Sequence, residues 1–224
     1  MKKINTVIFD MDGTTLNTLD DLADAVNYVL SIFHFPTHQR DEYRQYFGNG
    51  IRFAIKSAVP KGTSEETIDK MLPIFKEYYD IHCLDKTRPY EGITDLLKIL
   101  KDKGYKMAIV SNKIDSAVKE LSKRFFGEYI DVAIGEKEGI RRKPAPDTIL
   151  QALKELNSSK KEAVYIGDSE VDYQTAINSG LYPILVLWGF RDQDYLLTLG
   201  AKEFANRPLD IYRLLVSNSI YAPA

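Results

Sequence analysis

Two carboxylates two residues apart, Asp10 and Asp12, stand directly after a β-rich run and just ahead of Gly13 and Thr14. The run is Ile4-Asn5-Thr6-Val7-Ile8-Phe9, so the pair falls where a strand would hand over to a loop. In a parallel sheet the carboxyl ends of strands face the crevice in which ligands bind. Two acids followed by glycine suit a loop that approaches an anion and a cation together. A carboxylate can attack phosphorus and form an acyl phosphate, while a second acid protonates the leaving oxygen. The structural alternative is a strand-end turn capped by aspartates.

Three later junctions carry matching polar groups. Lys106-Met107-Ala108-Ile109-Val110 ends in Ser111-Asn112, a hydroxyl and an amide able to hold a phosphate oxygen, or else a helix N-cap. Arg141-Arg142-Lys143-Pro144-Ala145-Pro146 sets a lysine just before a proline-started helix, and reads otherwise as a solvated basic turn. Ala163-Val164-Tyr165-Ile166 leads into Gly167-Asp168-Ser169-Glu170-Val171-Asp172. Acids four residues apart share one helix face, or mark a helix start enriched in acids. Each element has a bland account, but their joint order is hard to produce by chance.

The elements that must position these groups alternate along the chain. Asp131-Val132-Ala133-Ile134 and Tyr182-Pro183-Ile184-Leu185-Val186-Leu187 complete the strand candidates. Ile93, Leu96, Leu97 and Leu100, and again Ile149, Leu150, Leu153 and Leu156, recur at helical spacing. The alternation predicts a parallel sheet covered by helices on both faces. From Leu19 to Leu84 it breaks, and only helical patterns remain. Leu19, Leu22, Ala23, Val26, Leu30 and Phe33 line one predicted helix, with Thr18 and Asp21 at capping-box spacing. Ile68, Met71, Leu72, Phe75 and Tyr79 line another, with Thr63 and Glu66 at its start and Pro73 expected to kink or interrupt it. A small all-helical unit is therefore expected after the first strand.

Composition narrows the function classes. The chain has 224 residues, 44% of them hydrophobic and 28% charged, enough for a real core. A net charge of −2 is close to neutral and does not suggest a polyanion-binding surface, so nucleic acid is not expected as a partner. Asp10 and Asp12 interrupt the first apolar run, which excludes a secretory signal there. Leu181 to Phe190, the longest apolar run, is about half a membrane span and contains Pro183 and Gly189. Cys83 is the single cysteine, so no internal disulfide can form. The expectation is a cytoplasmic protein, monomer or homodimer, acting on a small phosphorylated metabolite.

With these motifs in order, the chain resembles the haloacid dehalogenase superfamily. Asp10-x-Asp12-Gly13-Thr14, Ser111, Lys143 and Gly167-Asp168-x-x-x-Asp172 match its four motifs over essentially the whole chain. Gly48-Asn49-Gly50, Arg88-Pro89-Tyr90-Glu91-Gly92 and Trp188-Gly189-Phe190-Arg191 are similar to the phosphoglycolate phosphatase group, while Thr15 and Asn17 depart from its common pattern. The resemblance implies an α/β fold: a Rossmann-like parallel sheet with helices on both faces and a small all-helical cap domain inserted after the first strand. Residues 1–16 and 86–224 would form the core and 17–85 the cap.

The resemblance also implies roles. Asp10 is the nucleophile, and Asp12 is the acid that protonates the leaving group and then activates water. Mg²⁺ is held by Asp10, the Asp12 carbonyl and Asp168. Lys143 and Ser111 hold the phosphoryl oxygens with the backbone around Gly13, and Asn112 supports them. Asp172 orients Lys143 or a metal-bound water. Arg52 is a candidate for a substrate carboxylate, and His34, His38 and His82 receive no role. The alternatives are a sugar phosphomutase of the same superfamily and a phosphorylatable receiver module, against which the helical insertion counts. A nucleotide-binding dehydrogenase is a poorer reading still, since no Gly-x-Gly-x-x-Gly follows a strand.

Overall fold

A computed structural model describes residues 4–217. Six parallel strands form one sheet: β1 (Thr6–Phe9), β4 (Lys106–Ile114), β5 (Val132–Glu136), β6 (Ala163–Gly167), β7 (Tyr182–Val186) and β8 (Phe204–Ala205), in the order β5-β4-β1-β6-β7-β8. The chain builds outward from β1 on one side, then returns to build the other. Its central strand, flanked by β4 and β6, is therefore the switch point at which a crevice opens.

Side chains alternate across this sheet with period two. Val7, Phe9, Met107, Ile109, Val164 and Ile166 enter one core with α4 (Ile93–Asp102), α5 (Asp115–Phe126) and α9 (Pro208–Val216). Ile8, Ala108, Val110 and Tyr165 face the other way, against α6 (Asp147–Glu155) and α7 (Glu170–Ser179). All four central-strand residues are buried, as a parallel strand covered on both faces requires.

A helical insert departs after β1 through β2 (Leu16–Asn17) and returns through β3 (Arg88–Pro89), which pair antiparallel. It comprises α1 (Leu19–Ile32), a 3₁₀ turn (Arg40–Gln45), α2 (Ile51–Ala58) and α3 (Glu65–His82). Its own core holds Leu22, Val26, Leu30, Ile55, Ile68, Met71 and Phe75. Phe190 of the sheet domain joins that cluster, its ring 6.2 Å from Phe47.

The local differences from expectation have physical causes. Two-residue strands such as β2, β3 and β8 are too short to show a period, so the sequence pattern misses them. Thr18 does cap α1, but its side chain makes no capping bond. Asp21 points away instead and accepts the backbone N–H groups of Lys86 at 3.0 Å and Thr87 at 2.8 Å. The start of α3 is capped by Ser64, which accepts from the Thr67 N–H, one residue after the expected Thr63 and Glu66 pair. Pro73 lies inside α3, yet the helix runs unbroken from Glu65 to His82. Burial of Met71, Phe75 and Tyr79 on both sides of Pro73 offsets the backbone hydrogen bond it removes.

Asp21 is thus a clamp across the two crossings between insert and sheet domain. Asp21→Ala orphans two backbone donors, each worth about 1–3 kcal/mol when buried. Urea denaturation should show a loss of about 2–4 kcal/mol; a loss under about 0.5 kcal/mol, normal for surface substitutions, would contradict the clamp.

Candidate active site

Asp10 follows β1 at the centre of the sheet and is buried, with its N–H bonded to the Ile166 carbonyl of the neighbouring strand. Lys143, on the loop between β5 and α6, reaches its Oδ1 at 2.8 Å. The same ammonium meets Asp172 Oδ1 at 2.8 Å and the Tyr165 hydroxyl at 2.9 Å. Asp172 is the third residue of α7. Its second oxygen accepts from the backbone N–H groups of Asp168 and Ser169 and from the Ser169 hydroxyl. The helix-start reading of that acidic run holds, because Asp172 completes a capping box; Asp168 precedes the Ser169 cap, so the two acids do not share a helix face.

Asp168 stands beside them without a cation of its own among these lysine contacts. Its Oδ1 accepts from Thr14 Oγ1 at 2.9 Å and its Oδ2 from the Phe190 N–H at 2.7 Å. Two glycines make room for it. Gly13 adopts φ +83°, and a Cβ there would lie 2.4 Å from Asp168 Oδ2. A Cβ on Gly189 would lie 2.3 Å from the Asp168 Cβ. Trp188 fixes the same wall by donating from Nε1 to the Thr14 carbonyl.

Carboxylate oxygens of Asp10, Asp168 and Asp172 lie within 4.8 Å of one another, all buried. Their electrostatics are unequal. Burial pushes Asp10 well above the usual carboxylate range, Asp172 adds to the effect, and Lys143 relieves part of it. Burial, reinforced by Asp172, raises Asp168 to about 7. Asp172 is also penalised by burial, but Lys143 and the Ser169 and Tyr165 hydrogen bonds outweigh this and hold it low. Burial opposes the charge of Lys143, yet Asp10 and Asp172 raise its pKa. Three acids around one ammonium leave an excess of negative charge that a hard divalent cation would neutralise, and oxygen donors suit such an ion. The acidic cluster fits a cation site.

Asp12, two residues on, forms a second ion pair. Lys113 Nζ lies 2.9 Å from its Oδ1 and 3.1 Å from its Oδ2. The ammonium sits 4.7 Å from the centre of the Tyr79 ring, which α3 of the insert supplies. Burial again works against the charge, while Asp12 and then Tyr79 raise the pKa of Lys113. A cavity opens here, lined by Asp10, Asp12, Ser111, Lys113 and Lys143 from the sheet domain and by Phe75 and Tyr79 from the insert. It holds about 740 Å³ of empty space, open solvent at its mouth included.

The remaining expected residues are distributed unevenly. Ser111 lines the cavity and accepts the Lys113 N–H at 3.2 Å, leaving its own proton free to donate. Asn112 also lines it, but its amide is committed to the carbonyls of Gly48 and Lys143. Neither caps a helix, because β4 continues to Ile114, which precedes α5. Arg52 is not part of the lining; its guanidinium pairs with Glu65 at 2.7 Å and Asp69 at 3.1 Å. Sequence reasoning gave no site role to Lys113, to Thr14 of the first motif or to Tyr79 of the predicted helix. Lys113 had a signal, since three consecutive polar residues end an apolar strand. A regular strand would turn alternate residues away, but the pairing of β4 with β5 slips between Val110 and Ile114. Ser111, Asn112 and Lys113 consequently share one cavity.

A family model described as haloacid dehalogenase-like hydrolase matches residues 7–186. The chain belongs to this family. Among curated members, phosphoglycolate phosphatase of Aquifex aeolicus is 28% identical over 95% of the chain and 97% of its own length. Phosphoglycolate phosphatase 1 of Pseudomonas aeruginosa is 32% identical over 82% and 70%. Pyrophosphatase PpaX of Halalkalibacterium halodurans is 27% identical over 87% and 88%. A crystal structure provisionally assigned as a phosphoglycolate phosphatase, from Lactobacillus delbrueckii subsp. bulgaricus, superposes with a TM-score of 0.92. It is 36% identical, with 97% of this chain and all of that one covered. The haloacid dehalogenase-like fold, with its helical insert as the cap, is thus established. No helix among the described residues is long and apolar enough to cross a membrane.

The raised Asp168 gives a pH prediction whose sign follows from linkage. An unfolded aspartate titrates near about 3.9, so between there and about 7 the folded state holds the extra proton. That contribution to stability is present at low pH and is lost as pH rises through 7. In chelator, Tm should therefore fall between pH 5.5 and 8. A saturating divalent cation, which binds only the ionised carboxylate, should recover it mainly at pH 8. Asp168→Asn should flatten both effects in thermal scans. A chelated protein with Tm level or rising over that interval would contradict the assignment.

Proposed function

We propose that this haloacid dehalogenase-like phosphatase hydrolyses a small phosphomonoester, phosphoglycolate-like, through an aspartyl phosphate on Asp10, with Mg²⁺ as its cation. One observation carries the reading. Asp10 and Asp12 share one loop and one cavity, yet each has a different lysine, Lys143 for the first and Lys113 for the second. Two carboxylates in separate environments suit a nucleophile and an acid–base group.

Asp10, the Asp12 carbonyl and Asp168 are the groups to hold Mg²⁺, while Asp172 is already occupied by Lys143, Tyr165 and Ser169. The cation would supply charge neutralisation between an anionic nucleophile and a phosphate. Lys143 stabilises the equatorial oxygens beside Asp10, and the Ser111 hydroxyl donates to one of them. Asp172 keeps Lys143 aimed at Asp10. An Asp10 oxygen attacks phosphorus, the bond to the leaving oxygen breaks, and Asp12 delivers the proton that oxygen needs. Asp12 then removes a proton from the water that hydrolyses the acyl phosphate. The cap excludes bulk water during both steps. Pyrophosphate is a second substrate reading, supported by the relatives named pyrophosphatase PpaX.

Asp10→Asn should abolish phosphate release while remaining folded, since an amide cannot form the acyl phosphate. EDTA should silence the enzyme and Mg²⁺ restore it. Asp12→Asn should lose about 10²–10⁴-fold on alkyl phosphates. It should lose less on para-nitrophenyl phosphate, whose phenolate departs without a proton. Equal losses on both substrates would remove Asp12 from the acid–base role, and isomer formation without phosphate release would replace the phosphatase with a phosphomutase.

A further inference from the structure

Two lysines with little-exposed side chains line the cavity, and the chemistry above uses one of them. Lys143 serves Asp10 and Asp172, whereas Lys113 holds Asp12 through both oxygens. An ammonium only 6% exposed is costly to keep without an anion. Asp12 is an awkward partner for it, because both carboxylate oxygens are engaged. To serve a leaving group, one of those oxygens has to turn away, and Lys113 then needs another anion.

The direction of reaction says where that anion would come from. In-line attack by Asp10 sets the leaving oxygen on the far side of phosphorus, the side that Asp12 serves. Atoms bonded to that oxygen extend toward Lys113. Tyr79 covers the ammonium there, and its ring stacks on Phe75 with centroids 5.4 Å apart, so the apolar face of α3 excludes water from this side. In such surroundings a charge-assisted hydrogen bond is stronger than in water. The nearby carboxylates Asp80 and Glu136 also line the cavity, so it has no general positive potential that would attract any anion. The attraction is confined to the two lysines and to Lys76 on α3.

We propose that Lys113 is a specificity-determining residue that receives a second anionic group of the substrate, a carboxylate or a phosphoryl oxygen a few bonds from the scissile phosphorus, and so releases Asp12 to the leaving oxygen. The step is an exchange of ion-pair partners in which no covalent bond changes, and it rests on the phosphatase reading. It defines the substrate class as phosphoryl compounds with a second anion, and it makes Asp12 available only when such a compound is bound.

Ethyl phosphate and 2-phosphoglycolate are a matched pair, differing in a methyl group against a carboxylate at the same position. Their dissociation constants are to be measured by calorimetry with Mg²⁺ in the Asp10→Asn protein, which cannot turn them over. With Lys113 present, 2-phosphoglycolate should bind about 10–100-fold more tightly, as a hydrogen bond to a charged group implies. Lys113→Met should shrink that preference to under about threefold, and Lys113→Gln, which keeps a polar head, should retain little more. Inorganic pyrophosphate as a third ligand decides the source, since the compound that loses more on Lys113→Met carries the favoured anion. Equal binding of the pair to the Lys113 protein overturns the proposal without any variant having to fold. So does an equal weakening of all ligands by folded Lys113→Met, which would leave Lys113 a partner of Asp12 alone. Failure of the unsubstituted enzyme to release phosphate would count against the phosphatase reading, while the binding comparison would still decide the subsite.

Discussion

Lys143 enters from a loop beyond β5 and places one ammonium between Asp10, at the end of β1, and Asp172, on α7. Three separate passages of the chain are tied together by that charge. Removing it would leave two buried carboxylates facing each other, a cost of several kcal/mol that neither core cluster is arranged to absorb. The lysine also creates an inequality. It stabilises Asp172 fully and Asp10 partly, while Asp168 is left to Thr14 and the Phe190 N–H. That uneven sharing produces the surplus negative charge which fits the cluster for a cation. It also explains why Gly13 and Gly189 have no side chains: both abut the acid that the lysine does not reach.

The second ion pair, Lys113 with Asp12, extends the same logic across the boundary between cap and core. Its ammonium lies under Tyr79 of α3. Asn112, beside it in sequence, donates to the Gly48 carbonyl of the cap and to the Lys143 carbonyl of the core. Consecutive residues of β4 thus feel the position of the cap and the position of the buried lysine. The seating of the insert and the geometry of the buried acids are linked through the irregular end of one strand.

Much of this was legible beforehand because it depends on residue type at a strand end. Asp10 and Asp168 follow apolar runs, Lys143 stands in a basic turn just before a proline-started helix, and the insert shows itself as the stretch where strand and helix patterns stop alternating. The pairings that the sequence did not show are contacts made far apart along the chain. Lys113 pairs with Asp12 across 101 positions, and Thr14 with Asp168 across 154; no local pattern encodes either. Arg52 is a different case. An arginine just past a glycine-rich turn suggests an anion, but Glu65 and Asp69 lie close to it on the folded cap. Local capping rules also yielded where tertiary contacts offered more, as when Asp21 turned from its own helix to the Lys86 and Thr87 amides.

Two arginines join cap and core near Phe190, and each donates to backbone oxygens of the other unit. Arg191, braced by Glu170, reaches the carbonyls of Arg44 and Phe47. Arg44 reaches the carbonyl of Gly189 in return. A carbonyl is present whatever side chain its residue carries. The seam itself therefore constrains only the two donors, and Gly189 is held to glycine by Asp168 rather than by its role as an acceptor. Such a seam lets the cap drift in sequence without losing its seat, so the residues that face the cavity can change while the docked pose is inherited intact.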